Sequence, residues 1–350
     1  MIRVKLSTHA QGMPLLNFTP EAKGIWGDCQ FFYQDDNVKE VDWWFVVENV
    51  AKPESVICPP ENVVLMAQEN HLMKIYPDSF GRQFGKVITA DQRMKHPHKI
   101  IRQQSMPSPL GWSYKPKTYD VLKAMTPESL PKTELMSVVT SHKVRTQGQI
   151  TRNAFIKAMK DHFGDRLHPF SSRPDTFGPE TKQARDKWDA LAPYKYYLAL
   201  ENSRVPHYWT TNMTDAFLAG AYPFYYGDET IYEYFSKDAL TMIDINDIKG
   251  SIEIIERGIA ENLFEKRQQA IWEARSLWLD KYQMFPMIAN LIPTLAPGGA
   301  PRLVTVLPEA QPTLLPTIAR KLQSIPAIHS LGQKVYRAYR RARYGQKYGN

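Results

Sequence analysis

The stretch Tyr194–Phe235, YKYYLALENSRVPHYWTTNMTDAFLAGAYPFYYGDETIYEYF, decides the reading of this chain. Its apolar run Tyr196–Leu200 suits a buried strand, Thr214–Leu218 a short helix and Tyr222–Tyr226 a second strand. The polar triplet Glu201-Asn202-Ser203 follows the first strand directly. Working outward, Leu135–Thr140 predicts a strand, and Arg152–Phe163 a helix with Phe155, Met159 and Phe163 at a spacing of four. Downstream, Leu240–Ile245 reads as a strand. Ser251–Tyr282 reads as one long helix, with Ile255, Ile259, Leu263, Ile271, Trp278 and Tyr282 largely on one side. Strands alternating with helices indicate an α/β unit built on a parallel sheet.

A first such unit precedes it. Trp43–Val47 and Val63–Met66 are continuous apolar runs suited to strands buried on both faces, and Lys86–Thr89 is a shorter one. Turn-forming residues follow each run, as at the carboxyl rim of a parallel sheet where open α/β folds bind ligands. Between the units, Pro107, Pro109, Pro116, Pro127 and Pro131 mark residues 106–132 as a linker that interrupts helices. A length of 350 residues suggests about two domains. The expected boundaries are 1–128, 129–290 and a third segment, 291–350, in which repeated prolines argue against regular structure until a basic amphipathic helix at Ile328–Tyr344.

Composition narrows the class. With 43% hydrophobic and 23% charged residues the chain is globular in character, which excludes wholesale disorder. No apolar run approaches the ~18 residues that span a bilayer, and the start lacks a signal-peptide core, so a cytoplasmic location is expected. Two cysteines, Cys29 and Cys58, support neither a disulfide framework nor zinc. The formal charge of +8 is uneven. Lys334, Arg337, Arg340, Arg341, Arg343 and Lys347 fall in the last twenty residues, and removing them leaves +2 for the first 330. A nearly neutral body does not suit nucleic-acid binding. The basic tail suits an anionic membrane surface, which would place the protein peripherally on the inner face of the cytoplasmic membrane.

The sequence has no GxGxxG, Walker, HExxH or GxSxG motif, and no Asp-x-Asp of the kind that metal-dependent nucleotide-sugar enzymes use. His96-Pro97-His98 sits in a polar loop and reads as surface rather than as a metal site. No metal is expected.

Glu201-Asn202-Ser203, Tyr208-Trp209-Thr210, Ala219-Gly220, Pro223 and Gly227 together resemble the donor-binding motif of glycosyltransferase family 10, the α-1,3/4-fucosyltransferases, and especially its bacterial members. Thr151-Arg152-Asn153-Ala154-Phe155 is similar to the family's phosphate-binding arginine at a helix start, and Gln68-Glu69-Asn70 to its catalytic-base loop. The three pieces occur in collinear order across residues 43–285. The resemblance implies a GT-B fold, two Rossmann-like domains facing a central cleft. It implies inverting transfer of fucose from GDP-fucose to a hydroxyl of an oligosaccharide or glycan acceptor, without a metal.

The residues support such chemistry on their own terms. Glu69 ends an apolar run and should face the cleft, where a partly buried carboxylate can take the acceptor hydroxyl's proton. Glu48 ends the neighbouring run, also before an Asn, and is its decoy. Arg152 near a helix start, after His142, Lys143 and Arg145, suits a diphosphate. Asn202 can bond a phosphate or ribose. Tyr208 and Trp209 either stack a base or pack beneath the loop. By the resemblance, Asn202 and Tyr208 contact the nucleotide and Arg152 its diphosphate, while Glu201, Thr210, Thr211 and Asn212 complete the donor site.

One departure stands out. The family's Thr-Glu-Lys reads Thr210-Thr211-Asn212 here. The resemblance assigns the glutamate to the donor ribose and the lysine to its diphosphate, so this chain lacks a charge worth roughly 1.5–3 kcal/mol in a charge-assisted bond. Weaker donor binding, another nucleotide-sugar donor and lost activity are all compatible with that change. A non-enzymatic membrane-surface protein led by the basic tail is the alternative from another class.

Overall fold

The computed structural model describes residues 1–10, 12–102, 110, 116–141, 146–172, 176–177, 181–183, 186–309, 331, 335 and 338. The six basic tail residues, and His142, Lys143 and Arg145, lie outside the described residues.

Two parallel sheets organise the chain. The first runs in the order β2 (Ile25–Trp26), β3 (Cys29–Tyr33), β1 (Ile2–Thr8), β4 (Trp43–Val47), β6 (Val63–Ala67), β7 (Lys86–Thr89), β8 (Lys99–Ile101). Only the β2–β3 pair is antiparallel. The second runs β10 (Leu167–Phe170), β9 (Glu134–Val139), β11 (Tyr194–Leu200), β12 (Tyr222–Tyr226), β13 (Thr241–Met242), all parallel. β4 and β6 are buried at every residue, and β12 likewise. That is why their sequences are unbroken apolar runs rather than alternating ones.

The helices are α1 (Asp78–Gly81), α2 (Tyr119–Ala124), α3 (Gln147–Phe163), α4 (Thr211–Leu218), α5 (Ile248–Ala260), α6 (Leu263–Lys266), α7 (Gln268–Leu277) and α8 (Met284–Leu291). Several differ from expectation. The linker contains α2, set between Pro116 and Pro127 and capped by the Thr118 side chain, which accepts from the Val121 amide. The strand expected at Leu240–Ile245 contracts to two residues. The single long helix is three helices and a π turn, Trp278–Tyr282. Asn262 breaks it by adopting φ of 55°, a left-handed conformation that asparagine tolerates and a continuing helix does not.

The proline-rich segment after residue 290 is also structured where it is described. β14 (Arg302–Val306) pairs antiparallel with β5 (Glu54–Cys58), so the chain returns from the second unit to the first. The return is packed along its length. The Phe285 ring meets Phe31 edge-on at 5.0 Å, Gln283 Nε2 donates to Phe18 O at 2.9 Å, and Phe18 meets Trp278 at 5.8 Å.

Candidate active site

The carboxyl rims of the two sheets face one another across a cleft of about 500 Å³. Glu69 lines it from the first unit, two residues past β6. Arg152, Lys187, Asn202 and Asn212 line it from the second, with Thr140, Ser141, Ser171 and Ser172. A direct bond joins the rims, from Asn70 Nδ2 to Ser203 Oγ at 2.8 Å.

The register places Val47 opposite Met66, so the loops after β4 and β6 leave the sheet side by side. The Glu48 backbone turns into the left-handed region, φ 68°, and its carboxylate reaches under the Glu69 loop. Glu48 Oε1 accepts from the Gln68 amide at 2.5 Å and the Glu69 amide at 3.2 Å, and also from the Tyr76 hydroxyl. Its Oε2 is 3.1 Å from Lys74 Nζ, which is 2.8 Å from Glu309 Oε2 on the returning chain. Burial and the Glu48 carboxylate keep the Tyr76 phenol well above its ordinary range, so it stays a donor. Glu48 is therefore the scaffold of the loop and Glu69 the carboxylate presented to the cleft.

Glu69 is half-buried, and Tyr208 OH points at its Oε2 at 3.5 Å. The same hydroxyl accepts from Asn202 Nδ2 at 3.3 Å, and Asn202 Oδ1 accepts from Ser203 Oγ at 2.8 Å. Burial first, then the Glu69 carboxylate, hold the Tyr208 phenol well above its ordinary pKa. The residue is 2% exposed, and its hydroxyl ties Glu69 to Asn202. Trp209 is also packed beneath the loop, edge-on to Tyr234, Phe235 and Tyr282.

α3 begins five residues before Arg152, which moves the arginine from the helix start to its second turn. The helix is capped by Thr146, whose Oγ1 accepts from the Gln149 amide at 3.2 Å, and Gln149 lines the cleft. Gly148 permits this approach, since a Cβ there would stand 1.9 Å from Asn202 O. Arg152 Nη1 donates to Leu200 O at 3.3 Å. Its Nε is buried and, among the described residues, has no hydrogen-bond partner. Burial lowers the guanidinium's pKa, with Glu201 acting the other way, and an arginine stays charged through such a shift.

Glu201 is fully buried behind the cleft wall. Its Oε1 accepts from the Thr210 amide at 2.7 Å and its Oε2 from Thr210 Oγ1 at 2.8 Å. Burial pushes its pKa up to about 7 against the pull of those bonds. Thr210 caps α4, its Oγ1 accepting from the Asn212 amide at 3.1 Å. Thr211 opens α4. Asn212 lines the cleft, with Nδ2 donating to Leu200 O at 3.2 Å.

Lys187 and the Thr and Ser residues of the cleft escaped sequence reading. Lys187 opens the 3-10 turn Lys187–Ala190 between β10 and β11, and its ammonium lies 2.7 Å from Asp215 Oδ2. The available signal was Asp215 itself, an acid set among Met213, Ala216, Phe217 and Leu218 in a short helix, since a carboxylate buried there calls for a cation. His96-Pro97-His98 holds no metal cluster among the described residues, and His96 Nε2 bonds Phe84 O at 3.0 Å.

Comparison with known proteins bears on this geometry. Residues 130–261 match the family model described as "Glycosyltransferase family 10 (fucosyltransferase) C-term". No curated protein matches the sequence. Among solved structures, the chain is similar to a crystal structure of an alpha1,3-fucosyltransferase at 15% identity, covering 81% of this chain and 91% of that one, with a TM-score of 0.50. It is also similar to an alpha-glucosyltransferase solved with UDP and a 13-mer DNA, at 10% identity, 84% and 100% coverage and a TM-score of 0.53. At such identities the likeness concerns the fold, and the fold is GT-B. Residues 130–261, which form one wall of the cleft opposite the Rossmann-like first sheet, are thus similar to the family 10 C-terminal domain, on a chain whose fold is that of the GT-B glycosyltransferases.

Proposed function

We propose that the protein transfers fucose from GDP-fucose to a hydroxyl of a glycan, with inversion at the sugar's C1 and without a metal. The observation that carries this reading is one cleft lined both by Glu69 from the first sheet and by Arg152, Asn202 and Asn212 from the second. In the transfer, Glu69 takes the proton of the acceptor hydroxyl as that oxygen bonds to C1. The bond from C1 to the diphosphate oxygen breaks, and its electron pair leaves on GDP. Arg152, with a buried and unpartnered N–H beside the cleft, meets the charge that develops there. Tyr208, held by Asn202, keeps the Glu69 carboxylate aimed from one side while Glu48 fixes its backbone from below.

The test is incubation with labelled GDP-fucose, GDP-mannose and UDP-sugars, each with and without EDTA. Hydrolysis or transfer of GDP-fucose, unchanged by EDTA, is expected. Turnover of another donor in preference, or a requirement for metal, would overturn the corresponding part.

A further inference from the structure

We propose that Lys187 is a diphosphate-binding residue of this cleft, held in place by Asp215, and that it supplies the cation which Asn212 does not. The inference deepens the proposed function and rests on the cleft being a nucleoside-diphosphate site.

Four observations converge. Lys187 and Asn212 line the same cleft as Arg152. Asn212 carries no charge, and its Nδ2 is directed at Leu200 O. The Lys187 side chain is only 17% exposed, with its ammonium 2.7 Å from Asp215 Oδ2 and donating to Thr211 O at 3.3 Å. Thr211 is the residue immediately before Asn212 at the start of α4, so the ammonium sits at that helix terminus. Finally, Asp215 is completely buried on α4, one turn further along.

The energetics say what such a pair is for. A buried ion pair is weak evidence of stabilisation, because desolvation offsets much of the attraction. An ammonium has three N–H donors. One donates to Thr211 O and the ammonium pairs with Asp215, so donor capacity remains for the cleft that the side chain lines. The Asp215 carboxylate more than offsets the effect of burial on Lys187 and raises its pKa, so it remains an ammonium throughout the neutral range. The lysine reaches α4 from the segment between β10 and β11, not from the helix itself. A point charge on a long stem does not need to come from the same place in the chain, so a cation missing at Asn212 can be provided by another element.

Two variants test the proposal by titration calorimetry, with the nucleosides measured by competition. Lys187→Met leaves the buried Asp215 carboxylate without its cation, so the double variant Lys187→Met/Asp215→Leu, which removes both charges, is measured beside it. The proposal expects GDP affinity to fall at least about tenfold in the variant that folds, the effect of one charge-assisted bond to phosphate. Guanosine affinity should stay within about twofold, since the nucleoside offers no phosphate. Equal losses for GDP and guanosine would show that the pair only shapes the pocket and would overturn the proposal, as would unchanged GDP affinity. UDP and uridine form a second arm. If the wild type prefers UDP, the assigned donor falls while the contrast of diphosphate against nucleoside is read on that pair. A wild type that binds neither diphosphate overturns both readings.

Discussion

The two rims of the cleft are built alike and charged differently. On the first, the glutamates after β4 and β6 converge, and one carboxylate, Glu48, is consumed by amides, a phenol and a lysine so that the other can face the cleft. On the second, the glutamate after β11 is buried as a clamp on Thr210, and what reaches the cleft is Arg152, Lys187 and three amide side chains. In each unit one acid is spent on architecture. The difference is what each rim presents: a carboxylate on one side, and a guanidinium and an ammonium on the other. The family match falls on the second rim alone, the part that a shared donor would keep constant.

That contrast can be broken in order of expected effect. Glu69→Gln should lower the transfer rate by about 10²–10⁴-fold and leave donor affinity within a few-fold. Kinetics and calorimetry on one preparation decide this, and the same result for Glu48→Gln with Glu69→Gln active would exchange their roles. Glu201→Gln should act on stability through pH. The folded carboxyl, at about 7, binds its proton more tightly than the unfolded one, so stability is lost as pH rises from about 4.5 to about 7 and the loss is constant above. Urea unfolding should therefore show the variant gaining roughly 3 kcal/mol relative to the parent between pH 4.5 and pH 8. A difference independent of pH would refute the buried ionisation.

Arg152→Ala should weaken GDP binding by roughly 1.5–3 kcal/mol, the value of a hydrogen bond to a charged group, while the KM for the acceptor is unmoved. A matching rise in acceptor KM would erase the distinction between the rims. Asn212→Lys should do least. With Lys187 already at the start of α4, a second ammonium adds repulsion as well as attraction, and GDP affinity should change by less than about threefold. A tenfold gain would mean that Lys187 does not reach the phosphate.

The same contrast explains what the sequence made legible. β4, β6, β11 and β12 could be read because central parallel strands need apolar residues on both faces, which leaves an unmistakable run such as Trp43–Val47. The acid after β6 and the amide after β11 followed from those strand ends. Arg152, Asn202 and Asn212 line the cleft, whereas Glu201, Tyr208 and Thr210 are buried. A polar residue in a motif can support the site from behind as readily as line it, and local sequence does not record which side of the loop it faces. Lys187 and the β5–β14 pairing were hidden for a related reason. Each depends on a partner far along the chain, and nothing in KWDA or RLVTV points to Asp215 or to Glu54–Cys58.

That last pairing has a consequence for the timing of biosynthesis. The strands of the first sheet are all made by residue 101, yet β5 gains its partner only when residues 302–306 have been translated. At about 5–20 residues per second, roughly 10–40 s pass on the ribosome before that pairing can form. During this interval the nascent first unit carries an open β edge, and the loop beneath Glu69 lacks the Lys74–Glu309 tie. The acid side of the cleft is thus begun first and finished last, so the second rim can assemble before the Glu69 loop is locked in place.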